Sequence, residues 1–319
     1  MISEFPNFKK LELLDKEEIE KFTSKFPPYS AFNFTNLWAW DIRSDREVAK
    51  LNGNLVVRFT DYETKEPFLS FLGTNKCEDT VFTLLSFASN SKIYPKLRFI
   101  TEESIKHLQS ANLLVEEDRN NSDYLFSPSK LAELQGAKFK DIRRLAKKFS
   151  KEYPDAVFRL KDLGDLSVQN KIHLTLRQWE HRKKMQNKTC DLKFEEKALC
   201  RLLENVKDHK LILSCVFLQG TMLCFGIDEI LPNRSAVSHF IKADNSFKGI
   251  YEFFNRELAQ YLTTLDIASW NWQQDLNIKN LKEAKLSYCP VAFLKRYTVS
   301  FNYVNEHDLQ ELHEGSTKK

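Results

Sequence analysis

Hydrophobic and polar positions follow two different periods in the first half of the chain, which predicts both helices and strands there. Apolar residues recur at helical spacing over residues 15–26 and 77–90. Short apolar runs flanked by polar residues predict strands at 54–61, 67–73 and 96–101. The first half is therefore predicted to be mixed α and β.

The second half repeats this mixture in a defined order. After a strand at 156–162, its predicted elements are helices at 168–185 and 193–209, a hairpin at 211–231, a strand at 235–244, a helix at 250–265 and a strand at 267–274. The order helix, helix, strand, strand, strand, helix, strand is that of an acetyltransferase-like α/β domain. Since other mixed folds share this order, it indicates a fold class rather than a function.

The most apolar stretch, residues 211–231, is predicted to be a hairpin and not a membrane span. A span needs about 20 predominantly apolar residues. Here Gln219 and Gly220 split the stretch, and Asp228 and Glu229 lie near its end. Two apolar runs of strand length on either side of Gln219 and Gly220 favour a β-hairpin, so no membrane-spanning segment is predicted.

A basic amphipathic helix is predicted over residues 136–152, with a break near Gly136 and an end before Pro154. Its apolar stripe consists of Phe139, Ile142, Ala146 and Phe149. Its candidate residues for binding nucleic acid or another anion are Lys140, Arg143, Arg144, Lys147, Lys148 and Lys151. The basic face can contact the phosphates of tRNA or an anionic headgroup, or it can be a solvated face between domains.

Composition and charge exclude little but set limits on partners. The net charge is +4, from 48 basic and 44 acidic residues, so an anionic partner needs a local patch. The six cysteines are scattered without a C-x-x-C pair and no secretory leader begins the sequence, which predicts a cytoplasmic location. The seven histidines lack ligand spacing, so no metal site is predicted.

Three separated stretches resemble one known family. They are "NFTNLWAWD" at 33–41, "YLFSPSKLAELQGAKFKDIRRLAKKFSKEYP" at 124–154, and "FIKADNSFKGIYEFFNRELA" at 240–259 followed by "DLNIKNLKEAKLSYCPVAFLKRYT" at 275–298. Over about residues 25–300 the chain resembles a soluble form of the phosphatidylglycerol lysyltransferase C-terminal domain family.

This resemblance implies an α+β fold with two tandem GNAT-like domains, that is, domains of the acyl-CoA N-acyltransferase fold. The implied domains are 1–130 and 131–302, the second including the basic linking helix at 136–152, followed by a polar tail at 303–319. The family is related to Fem-type transferases, which take an amino acid from aminoacyl-tRNA. The resemblance therefore implies aminoacyl-tRNA as a donor.

The sequence departs from the family pattern at three places, one of which is Arg144, where the family usually has asparagine. Where the family commonly shows N-R-E-x-D-L-G, only Asn271, Asp275 and Leu276 carry over from residues 271–277. Cys289 replaces the usual histidine later in the same region. These departures point either to an altered substrate or to loss of catalysis.

Five residues near the implied cleft are the candidate catalytic residues: Lys242, Asp244, Asp275, Lys285 and Tyr288. Acyl transfer needs a deprotonated attacking group, a stabilised oxyanion and a protonated leaving group, and these side chains can supply or accept protons. The alternative is structural: Lys242 and Asp244 pair with each other in solvent, and Tyr288 belongs to the core.

The turn before the predicted helix at 250–265 supplies the candidate cofactor-binding residues Lys248, Gly249 and Ile250. The resemblance to acetyltransferases implies a pyrophosphate-binding turn of the form R/Q-x-x-G-x-G/A, of which only Gly249 is retained. Lys248 can meet a phosphate beside the N–H groups of Ile250 and Tyr251. Tyr251 occupies the position of a small residue, which favours aminoacyl-tRNA over acetyl-CoA as donor.

Three functions remain open on the sequence alone. The first is an aminoacyl or acyl transferase that uses aminoacyl-tRNA, with an unknown acceptor. The second is an acyl-CoA-dependent N-acetyltransferase, and the third is a non-catalytic binding module for an anionic partner. The sequence does not determine the oligomeric state.

Overall fold

The computed structural model describes residues 1–61, 64–91, 93–185 and 192–302, and the predicted tail at 303–319 lies outside them. Its α-helices are α1 (Lys16–Thr23), α2 (Phe34–Ala39), α3 (Cys77–Asn90), α4 (Glu102–Ile105), α5 (Pro128–Glu133), α6 (Lys140–Glu152), α7 (Leu166–Met185), α8 (Lys193–Glu204), α9 (Ile250–Thr264) and α10 (Lys279–Ser287).

The strands of the described chain are β1 (Lys9–Lys10), β2 (Glu47–Leu51), β3 (Asn54–Thr60), β4 (Pro67–Leu72), β5 (Lys96–Thr101), β6 (Leu113–Glu117), β7 (Asp123–Phe126), β8 (Val157–Lys161), β9 (Leu211–Leu218), β10 (Thr221–Leu231), β11 (Ser235–Ala243), β12 (Ser269–Asn271), β13 (Ala292–Leu294) and β14 (Arg296–Phe301). Helices and strands intermix along the whole chain, which confirms the predicted mixed α and β class.

The chain divides into two compact units, each made of separated segments. Among the described residues, the larger unit contains 1–2, 10–46 and 120–295, and the smaller one contains 3–9, 47–119 and 296–302. This division differs from the predicted bounds, because residues 10–46 belong with the larger unit. A compact unit is defined by contacts within it, whereas the predicted domains are two copies of one fold. The division into units does not test the copies, so the domains 1–130 and 131–302 stay a prediction.

A seven-stranded sheet forms the centre of the larger unit, in the order β13-β7-β12-β11-β10-β9-β8. Strands β8 to β11 are antiparallel neighbours, whereas β11 and β12 run parallel. Helices α7 and α8 come before β9, and α9 connects β11 to β12. This order and the parallel pair give the unit the predicted GNAT-like fold.

Two hydrophobic cores hold the larger unit together. One core contains Phe149 of α6 and Phe254 of α9 with residues of the sheet. The other contains Ile172 of α7 and Leu199 of α8 with Phe225 of β10. Because apolar residues of the strands enter both cores, the sheet is covered by helices on two sides.

The predicted hairpin at 211–231 is confirmed. Strands β9 and β10 pair antiparallel, with Thr221 opposite Leu218. Gln219 and Gly220 form the turn with φ of 49° and 81°. Positive φ at both central residues is the geometry of the two-residue turns that fit the twist of a hairpin.

The smaller unit holds β2, β3 and β4 as antiparallel neighbours, and β14 pairs with both β5 and β6. Its core includes Val81 and Leu85 of α3 with Leu97 of β5 and Val299 of β14.

Across the part of the chain that the structure describes, no helix is both long and apolar enough to cross a bilayer.

Candidate functional site

The pairing of β11 with β12 stops part-way along β11, where β12 ends; this point is called the split, and the candidate site lies beside it. The two strands pair only over Ser235–Val237 and Ser269–Asn271, whereas β11 continues to Ala243. The first turn of α9 reaches β11 through Tyr251, whose hydroxyl accepts a hydrogen bond from the Ala243 N–H (3.2 Å). In open α/β sheets, ligands bind at the carboxyl ends of strands where neighbouring strands diverge.

Tyr288, a predicted catalytic residue, has its hydroxyl buried beside α9. The residue is 6% exposed, and its ring packs edge-on against Trp272. The Asn255 side chain interacts with the hydroxyl through a weak hydrogen bond, since neither the hydroxyl nor Asn255 Oδ1 has a partner at normal hydrogen-bond geometry among the described residues. Burial raises the pKa of Tyr288 well above its usual value, and the Glu252 charge adds to the rise. The hydroxyl therefore stays protonated at neutral pH.

The first two turns of α9 add polar groups that the sequence analysis missed. Glu252 and Asn255 lie three positions apart, and hence on one side of the helix. Glu252 is half-buried, and burial raises its pKa. A signal in the sequence was available, because both side chains interrupt an otherwise apolar segment of the predicted helix at 250–265.

Lys242 and Glu195 form an ion pair near the same turn of α9. Lys242 Nζ lies 2.8 Å from Glu195 Oε1 and 4.5 Å from the centroid of the Trp179 ring. Burial is the main cause of the raised pKa of Tyr251. The Trp179 side chain offsets part of this rise, and the charge of Glu195 adds to it. Tyr251 in turn adds to the rise in the pKa of Tyr288. The structure thus brings two predicted residues, Lys242 and Tyr288, into the neighbourhood of Tyr251.

Asp244 fixes the turn between β11 and α9. Its Oδ1 accepts hydrogen bonds from the N–H of Ser246 (2.9 Å) and from the Ser246 hydroxyl (2.6 Å). It also forms an ion pair with Arg182 of α7. The expected pairing of Lys242 with Asp244 is therefore wrong, because each residue has a partner on a helix, Glu195 on α8 and Arg182 on α7.

Lys285 and Asp275 hold the segment after β12. Lys285 Nζ donates to the backbone carbonyls of Trp272 (2.6 Å), Gln273 (3.2 Å) and Gln274 (2.6 Å). Burial lowers the pKa of Lys285 to about 8, although Asp123 and Asp275 favour its charged form. Asp275 is fully buried; it accepts hydrogen bonds from the Tyr124 hydroxyl and from the Asn277 N–H (2.8 Å).

The turn at Gly249 is packed against helix α6. Gly249 has φ of 93°, and a Cβ at this position would lie 2.3 Å from the Leu145 carbonyl oxygen of α6. Its open side is thus filled by protein backbone. The Ile250 N–H donates to the Phe247 carbonyl oxygen (3.1 Å), so the expectation that this N–H is free for a phosphate is wrong. Lys248 is exposed beside them.

Helix α6 is amphipathic as predicted. Phe139, Ile142, Ala146 and Phe149 are buried, and α6 packs on α9. The predicted anion-binding residues that are exposed are Lys140, Arg144, Lys147, Lys148 and Lys151.

Arg143 of α6 has a different position, because it is half-buried and donates to the carbonyl oxygens of Leu134 and Gly136 at the end of α5. Arg144 pairs with Asp141 (3.1 Å) and Lys148 with Glu152 (3.3 Å). Ion pairs this exposed contribute little to stability.

A second buried polar group escaped the sequence analysis. His239 contacts Asn36 Oδ1 (3.0 Å) and Glu229 Oε2 (3.1 Å), and Asn33 donates to the same Glu229 oxygen (2.7 Å). Burial alone would raise the pKa of Glu229, but the bonds from His239 and Asn33 outweigh it and lower the pKa. The pairing of β10 with β11 shifts register opposite His239. These contacts join α2 to the sheet at the bulge.

Comparison with solved structures identifies the fold. A conserved protein of unknown function from Bacteroides thetaiotaomicron has a TM-score of 0.80 and 25% identity, over 95% of this chain and all of that one. The C-terminal domain of a putative lysylphosphatidylglycerol synthetase from Agrobacterium fabrum has a TM-score of 0.63 and 12% identity, over 95% and 96% of the two chains. L-PGS from Bacillus licheniformis has a TM-score of 0.62 and 13% identity, over 98% and 96%.

Comparison of sequences identifies the family. No curated protein gives a significant match. The family described as "Phosphatidylglycerol lysyltransferase, C-terminal" matches residues 24–300, which is most of the chain. The resemblance predicted from the separated stretches is thereby confirmed: this chain belongs to the phosphatidylglycerol lysyltransferase C-terminal family.

Proposed function

We propose that this chain is an aminoacyl transferase that takes an amino acid from aminoacyl-tRNA at the split between β11 and β12. The observation that carries the proposal is the Tyr288 hydroxyl, which is buried beside the split without a hydrogen bond of normal geometry to a described residue. Buried polar groups are normally satisfied, so such a group in a native fold requires an explanation. A role in proton transfer to a bound substrate provides one.

The proposed step needs one proton donor and no cofactor. The attacking amine or hydroxyl of the acceptor forms a bond to the aminoacyl carbonyl carbon, and the ester bond to the ribose oxygen breaks. The departing ribose oxygen takes the Tyr288 proton, and the acceptor returns its own proton to Tyr288. The raised pKa of Tyr288 keeps the donor protonated, and a ribose alkoxide is basic enough to take the proton.

The other predicted catalytic residues have positioning roles in this proposal. Lys285 holds three successive carbonyls after β12, and Asp275 anchors the same turn through the Asn277 N–H. Asp244 shapes the turn that leads into α9. Lys242 near the end of β11 is held by its ion pair with Glu195 and by the Trp179 ring, so its proposed role is also to position this end of the strand.

The exposed lysines of α6 are proposed to bind the tRNA backbone. Because Gly249 packs directly against Leu145 of this helix, α6 borders the turn that begins α9. Lys147 and Lys151 lie four positions apart on the exposed side. Lysines on one face of a helix neutralise phosphates without reading sequence, which suits a partner recognised through its backbone.

The test is acyl transfer to hydroxylamine, a small surrogate nucleophile. Bulk tRNA charged with labelled amino acids is mixed with the protein, and formation of labelled hydroxamate is followed against the protein-free rate. We expect acceleration by the wild type and a loss of about 10²–10⁴-fold in Tyr288→Phe. Tyr261→Phe, a half-buried tyrosine on α9, is the matched control and should keep the wild-type rate.

Two results would contradict the proposal. One is a hydroxamate rate that the wild-type protein does not change for any charged tRNA. The other is full activity in Tyr288→Phe. Stabilisation by acetyl-CoA in a thermal-shift titration would instead support an acyl-CoA donor, against the packing of Gly249.

The second candidate is a non-catalytic module that binds an anionic partner. The observation in its favour is that Lys285, a matched family residue, uses its Nζ to hold three backbone carbonyls. This function predicts salt-dependent tRNA binding together with no hydroxamate formation. The hydroxylamine assay therefore separates the two candidates directly.

A further inference from the structure

We infer that His239 is a doubly protonated imidazolium in a buried ion pair with Glu229, and that this pair fixes the course of β11 beside the split. His239 Nε2 lies 3.1 Å from Glu229 Oε2, and the two side chains are 1% and 3% exposed. The ion pair goes beyond the proposed function and does not depend on it. Only its effect on acyl transfer rests on the proposed function.

The Nδ1 atom of His239 carries a proton because of the way Asn36 is oriented. Asn36 Nδ2 donates to the Ser30 carbonyl oxygen (3.0 Å), so Asn36 Oδ1 faces His239 Nδ1 (3.0 Å). With the carboxamide reversed, two oxygens would face each other at Ser30. A carboxamide oxygen only accepts hydrogen bonds, and Nδ1 is therefore the donor.

The Nε2 atom of His239 carries a second proton because of Glu229. Asn33 Oδ1 accepts the Asn36 N–H (3.0 Å), so Asn33 Nδ2 donates to Glu229 Oε2 (2.7 Å). Burial opposes ionisation of Glu229, but the bonds from His239 and Asn33 outweigh burial and lower its pKa. An ionised carboxylate only accepts hydrogen bonds. Both ring nitrogens thus face acceptors, so the ring is charged.

The charged neighbours of His239 on β10 favour the same state. Glu229 is one of them, and Asp228 is the other. Burial raises the pKa of Asp228 to about 6, and the charge of His239 offsets part of the rise. A further histidine, His209, reaches the network through the Thr35 hydroxyl, which lies 2.8 Å from its Nδ1. Two carboxyl groups next to one imidazole favour the protonated ring.

The ion pair lies at the bulge next to the split. His239 is the extra residue of this bulge, because Ser238 and Phe240 pair with consecutive residues of β10. The pairing of β11 with β12 ends at Val237, two residues before His239. A bulge bends its strand and leaves the extra residue out of the ladder. The side-chain bonds of His239 to α2 and β10 therefore set the bend.

The part of β11 beyond the bulge reaches the candidate site. Lys242 pairs with Glu195 of α8 (2.8 Å), and the Ala243 N–H donates to the Tyr251 hydroxyl (3.2 Å). A change of the bend at His239 displaces both groups, because they lie three and four residues farther along the same strand. His239 is thus a positioning residue, which acts through β11 without touching the substrate.

Nitrogen-15 NMR of histidine-labelled, full-length protein tests the protonation state. At pH 7.5 about one in ten unperturbed histidine side chains is doubly protonated. We expect His239 to carry a proton on both ring nitrogens in most molecules, and signals that disappear in His239→Gln assign its ring. A bare Nε2 at His239 in the wild type would overturn the inference, and this measurement requires neither activity nor a stable variant.

Glu229→Gln tests the ion pair, since it removes the carboxylate at nearly constant size. The new carboxamide can donate to Nε2, so His239 should become neutral, with its proton on Nδ1. Glu257→Gln on α9 is the matched control and should leave both ring protons in place. Two ring protons on His239 in Glu229→Gln would overturn the pairing.

The amide signals of residues 240–243 report the course of β11 in the same variants. We expect them to shift in Glu229→Gln and to stay at their wild-type positions in Glu257→Gln. Equal spectra of this segment in the two variants would overturn the positioning role, whatever the activity of the protein.

The effect on transfer is measured in the hydroxylamine assay. We expect the kcat of hydroxamate formation to fall about 10- to 100-fold in Glu229→Gln, because small displacements of positioned groups cost this much. The KM for charged tRNA should change less than about twofold, because the exposed lysines of α6 are untouched. Glu257→Gln should keep the wild-type kcat. An unchanged kcat in Glu229→Gln would overturn the positioning role in transfer.

The ion pair and the proposed function can fail separately. Two ring protons on His239 in a wild-type protein that forms no hydroxamate would retain the ion pair and remove the transferase. Hydroxamate formation by a wild-type protein with a bare Nε2 would retain the transferase and remove the ion pair.

Discussion

Gly249 at the start of α9 packs directly onto the Leu145 carbonyl of α6, since a Cβ on residue 249 would come within 2.3 Å of that oxygen. In a phosphate-binding turn, a glycine lets the backbone approach the ligand. Here the glycine lets one helix approach another. The same residue type at the same turn thus serves helix packing, which brings the basic helix α6 next to the turn that begins α9.

Gly249→Ala is expected to destabilise the protein by about 2–4 kcal/mol, because strain at positive φ adds to a clash with rigid backbone. Gly220→Ala is the matched control: Gly220 in the turn between β9 and β10 has φ of 81°, but nothing lies within 4 Å of its added Cβ. It should cost only about 1–2 kcal/mol. Urea denaturation of both variants measures the difference, and equal losses would contradict the packing role.

The fold was predictable where the hydrophobic pattern is strong and local. Helix α3 at 77–90 and strand β5 at 96–101 lie at their predicted bounds. The four-residue strand β7 was missed, because it is too short to show a period and is fixed by pairing with β12 and β13. Long-range hydrogen bonds also join residues 10–46 to the larger unit, as from the Ser30 N–H to Asp123 (2.7 Å) and from Asn33 to Glu229 (2.7 Å), and no local pattern encodes them.

The candidate site was predictable in part, for a similar reason. Family motifs pointed to Tyr288 and Lys242, and the structure places both near Tyr251. The family motifs could not reveal that Lys285 donates its hydrogen bonds to the backbone carbonyls of residues 272–274. Nor could they reveal Asn255, because a lone polar residue in an apolar helix shows its role only when its neighbours across the fold are known.

Lys285→Met is expected to destabilise the protein by about 2–4 kcal/mol at pH 7, because three buried carbonyls lose their donor. The stability of the wild type relative to this variant should then rise between about pH 8 and 10.5. In that window the folded lysine, with its pKa lowered to about 8, has lost its proton while the unfolded lysine keeps it. Denaturation across this range tests the sign, and a relative stability that falls would contradict it.

Asp228→Asn is expected to stabilise the protein at neutral pH. Asp228 is fully buried, and burial raises its pKa to about 6 although Trp270 donates to its Oδ1 (2.9 Å). A carboxyl with a raised pKa in the fold costs stability above that pKa and costs none below its usual value of 3.8. Thermal unfolding should therefore show a gain of about 1–3 kcal/mol at pH 7 that disappears near pH 4.

The amide of Asp228→Asn can still accept the Trp270 hydrogen bond through its oxygen. Glu229→Gln is the informative contrast, because bonds from His239 and Asn33 lower the pKa of Glu229 despite burial. That variant should lose stability at pH 7. A gain of stability at pH 7 in both variants would contradict a raised pKa for Asp228 and a lowered pKa for Glu229.

Lys147→Gln should weaken tRNA binding and reduce the slope of log K against log salt by about 0.7–0.9, the value for one phosphate contact. Lys197→Gln on α8 is the matched control, since Lys197 is also exposed and loses the same charge. It should leave the slope unchanged. Filter binding between low and moderate salt measures both, and equal slopes for the two variants would remove α6 from the interface.

Tyr288→Phe should leave the stability of the protein unchanged or raise it by up to about 1 kcal/mol while it removes transfer, because the lost hydroxyl has no hydrogen bond of normal geometry to give up. Tyr124→Phe is the matched control: this tyrosine is also buried, but its hydroxyl donates to the buried Asp275. Its loss should cost about 1–3 kcal/mol. Thermal unfolding of both variants beside the hydroxylamine assay gives the comparison. A large loss of stability in Tyr288→Phe would show that the hydroxyl serves the fold, whereas inactivity without such a loss is what a residue kept for proton transfer produces.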